Sequence, residues 1–488
     1  SLKINLPSAL AMPVCCRAAE IIEMERIVIT AELLKPEKIL DWSTTPDSPN
    51  ANKTIKAIKS GRRRLMVNNK MAKTMMIKVM SWGDNLVSFF IRQFILAHIL
   101  HKPFFLAGLV QVVYTKQMNF NNQTIWVEVN LGAIRRNIKR VEAHTKRPVM
   151  AVVKANAYGH GLFEVSKAAV EAGAARLCVA RTDEAIRMRQ EGINAPILVL
   201  GYTTPDMIEK AILNDLALMV NSVQLIDAFN QAAAAVGRKV TVHAKIDTGM
   251  GRLGVPYTEG VAFVKHILGL KNVVLEGVFT HFACADEPSK PITNLQIERF
   301  DQVIEELSQA GIRPPILHAA NSAGSIYFPK GWYDAVRPGI AIYGLNPSTE
   351  APLPEGFEPA LSWKCRLSSV KDLPEGSGVS YGHRYFTRGL ERIAAASIGY
   401  ADGLRRWSGN VALIDGKRVP QVGTVCMDQT MWRLDDRSNA KAGDEMVLIG
   451  RQGDECISAD ELAAAWGTIN YEVICGLMDR VPRFYIDE

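Results

Sequence analysis

Beyond residue 123, short apolar runs alternate with stretches whose apolar positions recur at helical spacing. The first well-patterned strand covers 124–131. Eight more apolar runs follow at 149–153, 177–180, 197–200, 217–220, 240–246, 275–280, 316–320 and 335–343. Helix-like stretches lie between them, at 162–172, 182–190, 223–235, 257–268 and 295–310. Continuous apolar runs bounded by helices are what strands covered on both faces look like. Eight such units in about 200 residues predict a (β/α)8 barrel of the TIM type, although a doubly wound sheet would give a similar pattern.

After Asn346 the period changes. Residues 347–359 are rich in Pro and Glu and read as a linker. Short strand-like runs then recur at 361–367, 392–398, 411–414, 419–425, 431–434 and 445–448, followed by a helix at 458–466. The expected organisation is therefore α/β plus β: a barrel over 118–346, the linker, and a mostly β domain over 360–488.

Residues 1–117 do not share this pattern. They hold 17 Lys and Arg against 8 Asp and Glu, whereas the other 371 residues hold 40 against 42. All the excess positive charge thus lies in an atypical basic and apolar extension, read as poorly ordered or non-native. The apolar stretch 86–114 is interrupted by Arg92, His98, His101 and Lys102, so membrane contact is not expected of it. The remainder has no basic balance that implies nucleic acid. The eight cysteines form no CxxC pair and no His/Cys spacing suggests a metal. Scattered thiols and the absence of a signal-peptide pattern predict a cytoplasmic protein.

Catalytic groups of such barrels sit at the carboxyl ends of strands. Lys154 ends the run 149–153, immediately before a glycine-punctuated turn. A buried lysine has a lowered pKa, which makes its amine able to form a Schiff base with a carbonyl. Pyridoxal phosphate (PLP) is the commonest such carbonyl. Lys245, His281, Asn321 and Ser322 fall at the ends of other runs, and Arg337 lies in or near the last one.

The run VVKANAYGHG resembles the PLP-lysine motif of bacterial alanine racemases residue for residue. KIDTGMGRLG, THFACAD, HAANSAG, VRPGIAIYGL, VSYGHRY, IGYADG, VGTVCMDQ and INYEVICGLMDRVPR extend that resemblance over nearly all of 120–488. It implies a PLP-dependent racemisation of alanine by two bases, supplying D-alanine for peptidoglycan. Lys154 would carry PLP and act as one base. Tyr381 would be the other, given to the site by the partner of a homodimer, together with Met427, whose backbone would meet the substrate carboxylate. Arg337 would bond the pyridine nitrogen, with His281 supporting it. Tyr158, Ser322, Gly339, Ile340 and Tyr471 would hold the phosphate, with Asn321 beside them. Arg252 would bond the phenolic oxygen. Lys245 resembles a lysine that is carbamylated in many members and orients that arginine. Tyr400 and Asp286 would line the entrance. An arginine at the ring nitrogen cannot surrender its proton, so the ring stays neutral and prompt reprotonation is favoured over side reactions.

Three other readings stay open: a serine or broad-specificity racemase, a fold-related PLP amino-acid decarboxylase, and a non-catalytic PLP-binding barrel. Arg337 stands against the decarboxylase, since those enzymes resemble one another in using a carboxylate there. The second domain stands against the non-catalytic barrel.

Overall fold

The computed structural model describes residues 122–488. The extension 1–117, including 86–114, lies outside them. Among the described residues no helix is long and apolar enough to cross a membrane.

Strand β1 (Ile125–Asn130) opens the described chain and leads into α1 (Leu131–Thr145). The Asn130 side chain caps that helix by accepting from the Ala133 N–H. The barrel follows, with β2 (Met150–Val152), α2 (Leu162–Glu171), β3 (Arg176–Val179), α3 (Thr182–Gln190), β4 (Ile197–Val199) and α4 (Pro205–Leu213). It continues with β5 (Ala217–Val220), α5 (Val223–Ala235), β6 (Val240–Asp247), a two-residue β7 (Val255–Pro256), α6 (Gly260–Leu268), β8 (Val273–Phe279), α7 (Ile292–Gln309), β9 (Ile316–His318) and α8 (Ser322–Tyr327). Every residue of β2, β3, β4 and β5 is buried, which is why these strands read as unbroken apolar runs.

The sheet runs β2-β3-β4-β5-β6-β8-β9, all parallel, and β7 pairs only with β6. The eighth stave is shorter than the run 335–343 suggests. Ala335 bridges to His318 and Val336 to Val149, closing the ring between β9 and β2. Pro338 then has no N–H to continue a ladder, and Ile340–Tyr343 wind into a 3₁₀ turn.

The second domain holds β10 (Leu361–Leu373), a hairpin of β11 (Gly378–Val379) and β12 (Tyr385–Phe386), then β13 (Glu391–Ala396), β14 (Val411–Ile414), β15 (Lys417–Val422), β16 (Thr430–Arg433), β17 (Glu445–Gln452) and β18 (Glu455–Ile457). Helices α9 (Ala459–Trp466) and α10 (Asn470–Cys475) and strand β19 (Arg483–Ile486) complete it. Its nine-stranded sheet includes β1, antiparallel to β10 and parallel to β19. The chain therefore contributes one strand to this sheet, builds the barrel, and returns. One hydrophobic core runs through both halves, from the barrel strands to Trp363 and Trp432.

Candidate active site

Lys154 follows β2 and Val153 at the carboxyl end of the barrel. The four residues after it, Ala155, Asn156, Ala157 and Tyr158, all have φ between 52° and 54°. They form one left-handed turn, closed by the Ala157 N–H donating to the Val153 carbonyl and the Gly159 N–H to that of Ala155. Left-handed helix costs an L-residue about 1–2 kcal/mol, so such a turn persists only where its surroundings dictate it. Here they do. The Glu184 carboxylate accepts from the Ala155 N–H at 2.7 Å and from the Ala180 and Arg181 N–H groups at 3.0 Å. Asn156 Oδ1 accepts from the Leu162 N–H at 2.8 Å. The turn aims Lys154 into the mouth. Burial, then the nearby Arg252, lower its pKa.

Lys245 lies in β6, buried, its Nζ 4.5 Å from the centre of the Phe279 ring. Burial, then Arg337 and Arg252, push its pKa well below the ordinary lysine value, while Asp247 opposes. Arg252 rides on the glycine-rich loop after β6 and is exposed. The Asp247 carboxylate holds that loop, accepting from the N–H groups of Gly249 and Met250 at 2.9 Å and of Gly251 at 3.0 Å.

Arg337 is buried. Its Nη1 donates to His318 Nδ1 at 2.6 Å, and its Nη2 to the carbonyls of Thr280 at 2.8 Å and Ala319 at 2.9 Å, with His281 Nδ1 at 3.4 Å. Burial pulls its pKa down to about 10, so it stays charged at neutral pH. Among the described residues, the Nε–H and one Nη1–H are left without an acceptor, and a ligand could take them. His281 is held neutral, its pKa well below the ordinary value, first by burial and then by Lys245, Arg337, Arg252 and Lys154. These four basic groups therefore all act on one imidazole.

Ser322 opens α8, and Asn321 caps that helix through the Gly324 N–H. Ser322 Oγ accepts from the N–H groups of Gly339 at 2.8 Å and Ala341 at 3.2 Å. Between them, the Ile340 N–H belongs to a wholly buried residue and meets no acceptor among the described residues. Such a buried donor is rare unless a ligand takes it. Tyr158 packs its ring 5.0 Å from Tyr343 and 6.1 Å from Tyr471, and its hydroxyl fills the space where a side chain on Gly339 would stand. The phenols of Tyr158 and Tyr471 are both raised by burial. Asp286 follows five residues after His281, and its carbonyl accepts from Ser348 Oγ.

A second group stands on the β domain. Tyr381 is 75% exposed, Met427 53% and Tyr400 41%. Bonds to residues 424–427 tie them together: the Thr424 side-chain Oγ1 donates to the Tyr381 carbonyl at 3.0 Å, the Tyr400 N–H to the Cys426 carbonyl and the Ala401 N–H to the Met427 carbonyl. Among the described residues, no hydrogen bond, ion pair or ring contact joins this group to Lys154. The structure thus gathers Lys154, Lys245, Arg252, His281 and Arg337 into one mouth and leaves Tyr381, Met427 and Tyr400 as a separate exposed set.

Sequence reasoning misses Glu184, His243, His318 and Glu276. His243 and Lys245 are two apart on β6 and so share a face, a signal that alternation alone carries. No comparable signal marks Glu184.

Taken as a whole, the mouth suits a flat, anionic, carbonyl-bearing ligand. It offers an amine of lowered pKa, a cluster of cations, a buried unpaired N–H and a guanidinium with donors to spare.

Two family models match the chain: alanine racemase, N-terminal domain, over residues 129–347, and alanine racemase, C-terminal domain, over 360–485. An alanine racemase of Symbiobacterium thermophilum is 48% identical over 363 residues, which is 74% of this chain and 96% of that protein. One of Methanococcus maripaludis is 45% identical over 368 residues, covering 74% and 98%. Among solved structures, alanine racemase from Bacillus anthracis with bound L-Ala-P superposes with a TM-score of 0.71 at 44% identity, covering 75% of this chain and 95% of that one. A histidine racemase from Leuconostoc mesenteroides superposes at 0.70 with 30% identity, covering 75% and 98%.

Proposed function

We propose, since the chain belongs to the alanine racemase family and is by that membership an isomerase, that it interconverts L- and D-alanine with PLP as its cofactor. The observation that carries this reading is the buried Arg337, set against His281 with donors to spare at the barrel mouth that Lys154, Lys245 and Arg252 share, together with the unpaired Ile340 N–H. PLP, when bound, supplies an electron-withdrawing ring that makes the α-proton of an amino acid acidic.

This chain's residues do the rest. The Lys154 amine holds the cofactor and takes or returns the α-proton on one face. Ser322, Gly339, Ile340, Tyr158 and Tyr471 hold the phosphate, with Asn321 fixing the turn. Arg252 bonds the phenolic oxygen, and burial, which lowers the Lys245 pKa, favours the neutral amine that carbamylation by CO₂ requires. Arg337 donates to the ring nitrogen, and His281 lies against it.

Removing a proton from one face and returning one to the other takes two bases. Tyr381 is the second in this reading. Its exposure, with that of Met427, supports delivery of both to the mouth of a partner subunit in an isologous dimer, with Tyr400 and Asp286 at the entrance. Free thiols among the described residues fit a cytoplasmic setting, and D-alanine for peptidoglycan is the role this reading gives the product. A racemase for a larger side chain is the second reading, supported by the likeness to the histidine racemase.

The test is chiral analysis of alanine after the full chain is incubated with PLP and L-alanine, beside Lys154→Ala. D-alanine from the unaltered chain alone is expected. PLP binding without D-alanine would refute the alanine reading, and the same assay with histidine and serine would then test the second.

A further inference from the structure

Among the described residues, Arg337 has no carboxylate against it, although it is a buried cation. Its charge is answered at a distance. Arg337 Nη1 lies 2.6 Å from His318 Nδ1, His318 Nε2 lies 2.8 Å from His243 Nδ1, and His243 Nε2 lies 2.8 Å from Glu276 Oε2. Glu276 Oε1 in turn accepts from Arg176 Nη2 at 2.7 Å. Both imidazoles are wholly buried, and the chain of bonds reaches solvent at Glu276, which is 29% exposed.

The direction of every bond is fixed by the two ends. Arginine can only donate and an ionised carboxylate can only accept. His318 Nδ1 must therefore offer a lone pair to Arg337 and carry its proton on Nε2. His243 must accept at Nδ1 and carry its proton on Nε2. Each imidazole is neutral and confined to one tautomer, since its remaining nitrogen is committed.

The fold makes room for this line. The β6–β8 ladder shifts register between Val242 and His243. Gly277 faces the His243 ring so closely that any Cβ there would overlap it. The Phe279 ring stacks on His318 at 4.7 Å with 6° between planes, which resists rotation of that imidazole.

We propose that Glu276 is a positioning residue for Arg337, acting through His243 and His318 to fix both tautomers and to balance the buried guanidinium from a distance. This rests on the functional reading only in that Arg337 serves the cofactor ring; the relay itself belongs to the chain alone. It places the counter-charge three hydrogen bonds away from the guanidinium, so the arginine is held without a carboxylate competing for its free donors.

The test needs no turnover. Nitrogen-15 spectra of histidine-labelled, cofactor-free protein report the tautomer of each imidazole. His243 and His318 are expected as neutral Nε2–H forms that do not titrate between neutral pH and about one unit either side of it. Either ring found protonated or as the Nδ1–H tautomer in the unaltered chain overturns the proposal. Glu276→Gln keeps an acceptor and is expected to retain both tautomers; Glu276→Leu strands the His243 N–H and is expected to mix them. In the loaded enzyme, losing the charge should lower kcat roughly five- to tenfold in Glu276→Gln, as a charged hydrogen bond becomes a neutral one, with KM unchanged. A purely structural Glu276 would lower stability and leave the tautomers of Glu276→Leu unchanged, which would overturn the proposal. Absence of D-alanine from the unaltered chain would sink the functional reading and leave the spectra as an independent test of the relay.

Discussion

Two glycines with nearly the same backbone separate two costs of adding a methyl group. Gly159, just after the left-handed turn, has φ of 82°, and Gly192 has φ of 81°. A Cβ on Gly192 meets nothing within 4 Å. A Cβ on Gly159 overlaps the Ile474 carbonyl of α10, well inside the 3.0 Å that real Cβ contacts respect. Both alanine variants bear the dihedral cost of about 1–2 kcal/mol. Both recover about 0.4–1 kcal/mol because alanine narrows the unfolded chain. Only Gly159→Ala must also push backbone against backbone, which costs about 1–3 kcal/mol in well-packed sites. Guanidinium unfolding followed by circular dichroism, with equal slopes verified, should therefore place Gly159→Ala about 1–3 kcal/mol below Gly192→Ala. Because α10 also carries Tyr471, Gly159→Ala should weaken PLP binding, and Gly192→Ala should not. Equal midpoints for the two variants would refute the steric half of this reasoning.

Acid should weaken the fold through its buried imidazoles. Burial lowers the folded pKa of His243 and, more strongly, of His318 below the ordinary 6.5. The unfolded chain therefore binds protons first, and stability present above about pH 6.5 is lost as pH falls, more through His318 than through His243 and by at most about 2 kcal/mol per histidine at about pH 5. A flat profile of unfolding free energy between about pH 7 and 5 would contradict this. Tyr381→Phe should lower racemisation about 10²- to 10⁴-fold with unaltered stability, given its exposure. Mixing Tyr381→Phe with Lys154→Ala chains should restore part of the activity through hybrid dimers, and no recovery would argue that each chain serves itself. Glu184→Ala strips the Ala155, Ala180 and Arg181 N–H groups of their acceptor and should cost at least about 2 kcal/mol, measured by thermal unfolding.

The barrel is legible because its strands are buried on both faces and so spell themselves out. The last stave reads too long because VRPGIAIYGL is mostly apolar; hydropathy does not register that Pro338 lacks a donor. The left-handed turn after Lys154 is not legible at all, since Ala-Asn-Ala-Tyr contains no glycine and invites an ordinary helix. Part of what holds it is the Glu184 carboxylate on the Ala155 N–H, a contact reached only by folding. Lys154, Arg337 and Tyr381 stand out through motif strings. The line from Arg337 to Glu276 spans four separate segments, and no local pattern joins them.

The pairing of β1 with β19 also sets a timetable. In the register that places Asn130 opposite Ile486, one partner is synthesised about 350 residues after the other. At roughly 5–20 residues per second, that is a wait on the order of tens of seconds. The barrel strands pair with near neighbours and can close within that interval. The early strand meanwhile presents an open edge on a nascent chain, a template for wrong partners. A ribosome-associated holdase that covers 125–130 until the final strand emerges would shorten the exposure, and slowing translation would lengthen it.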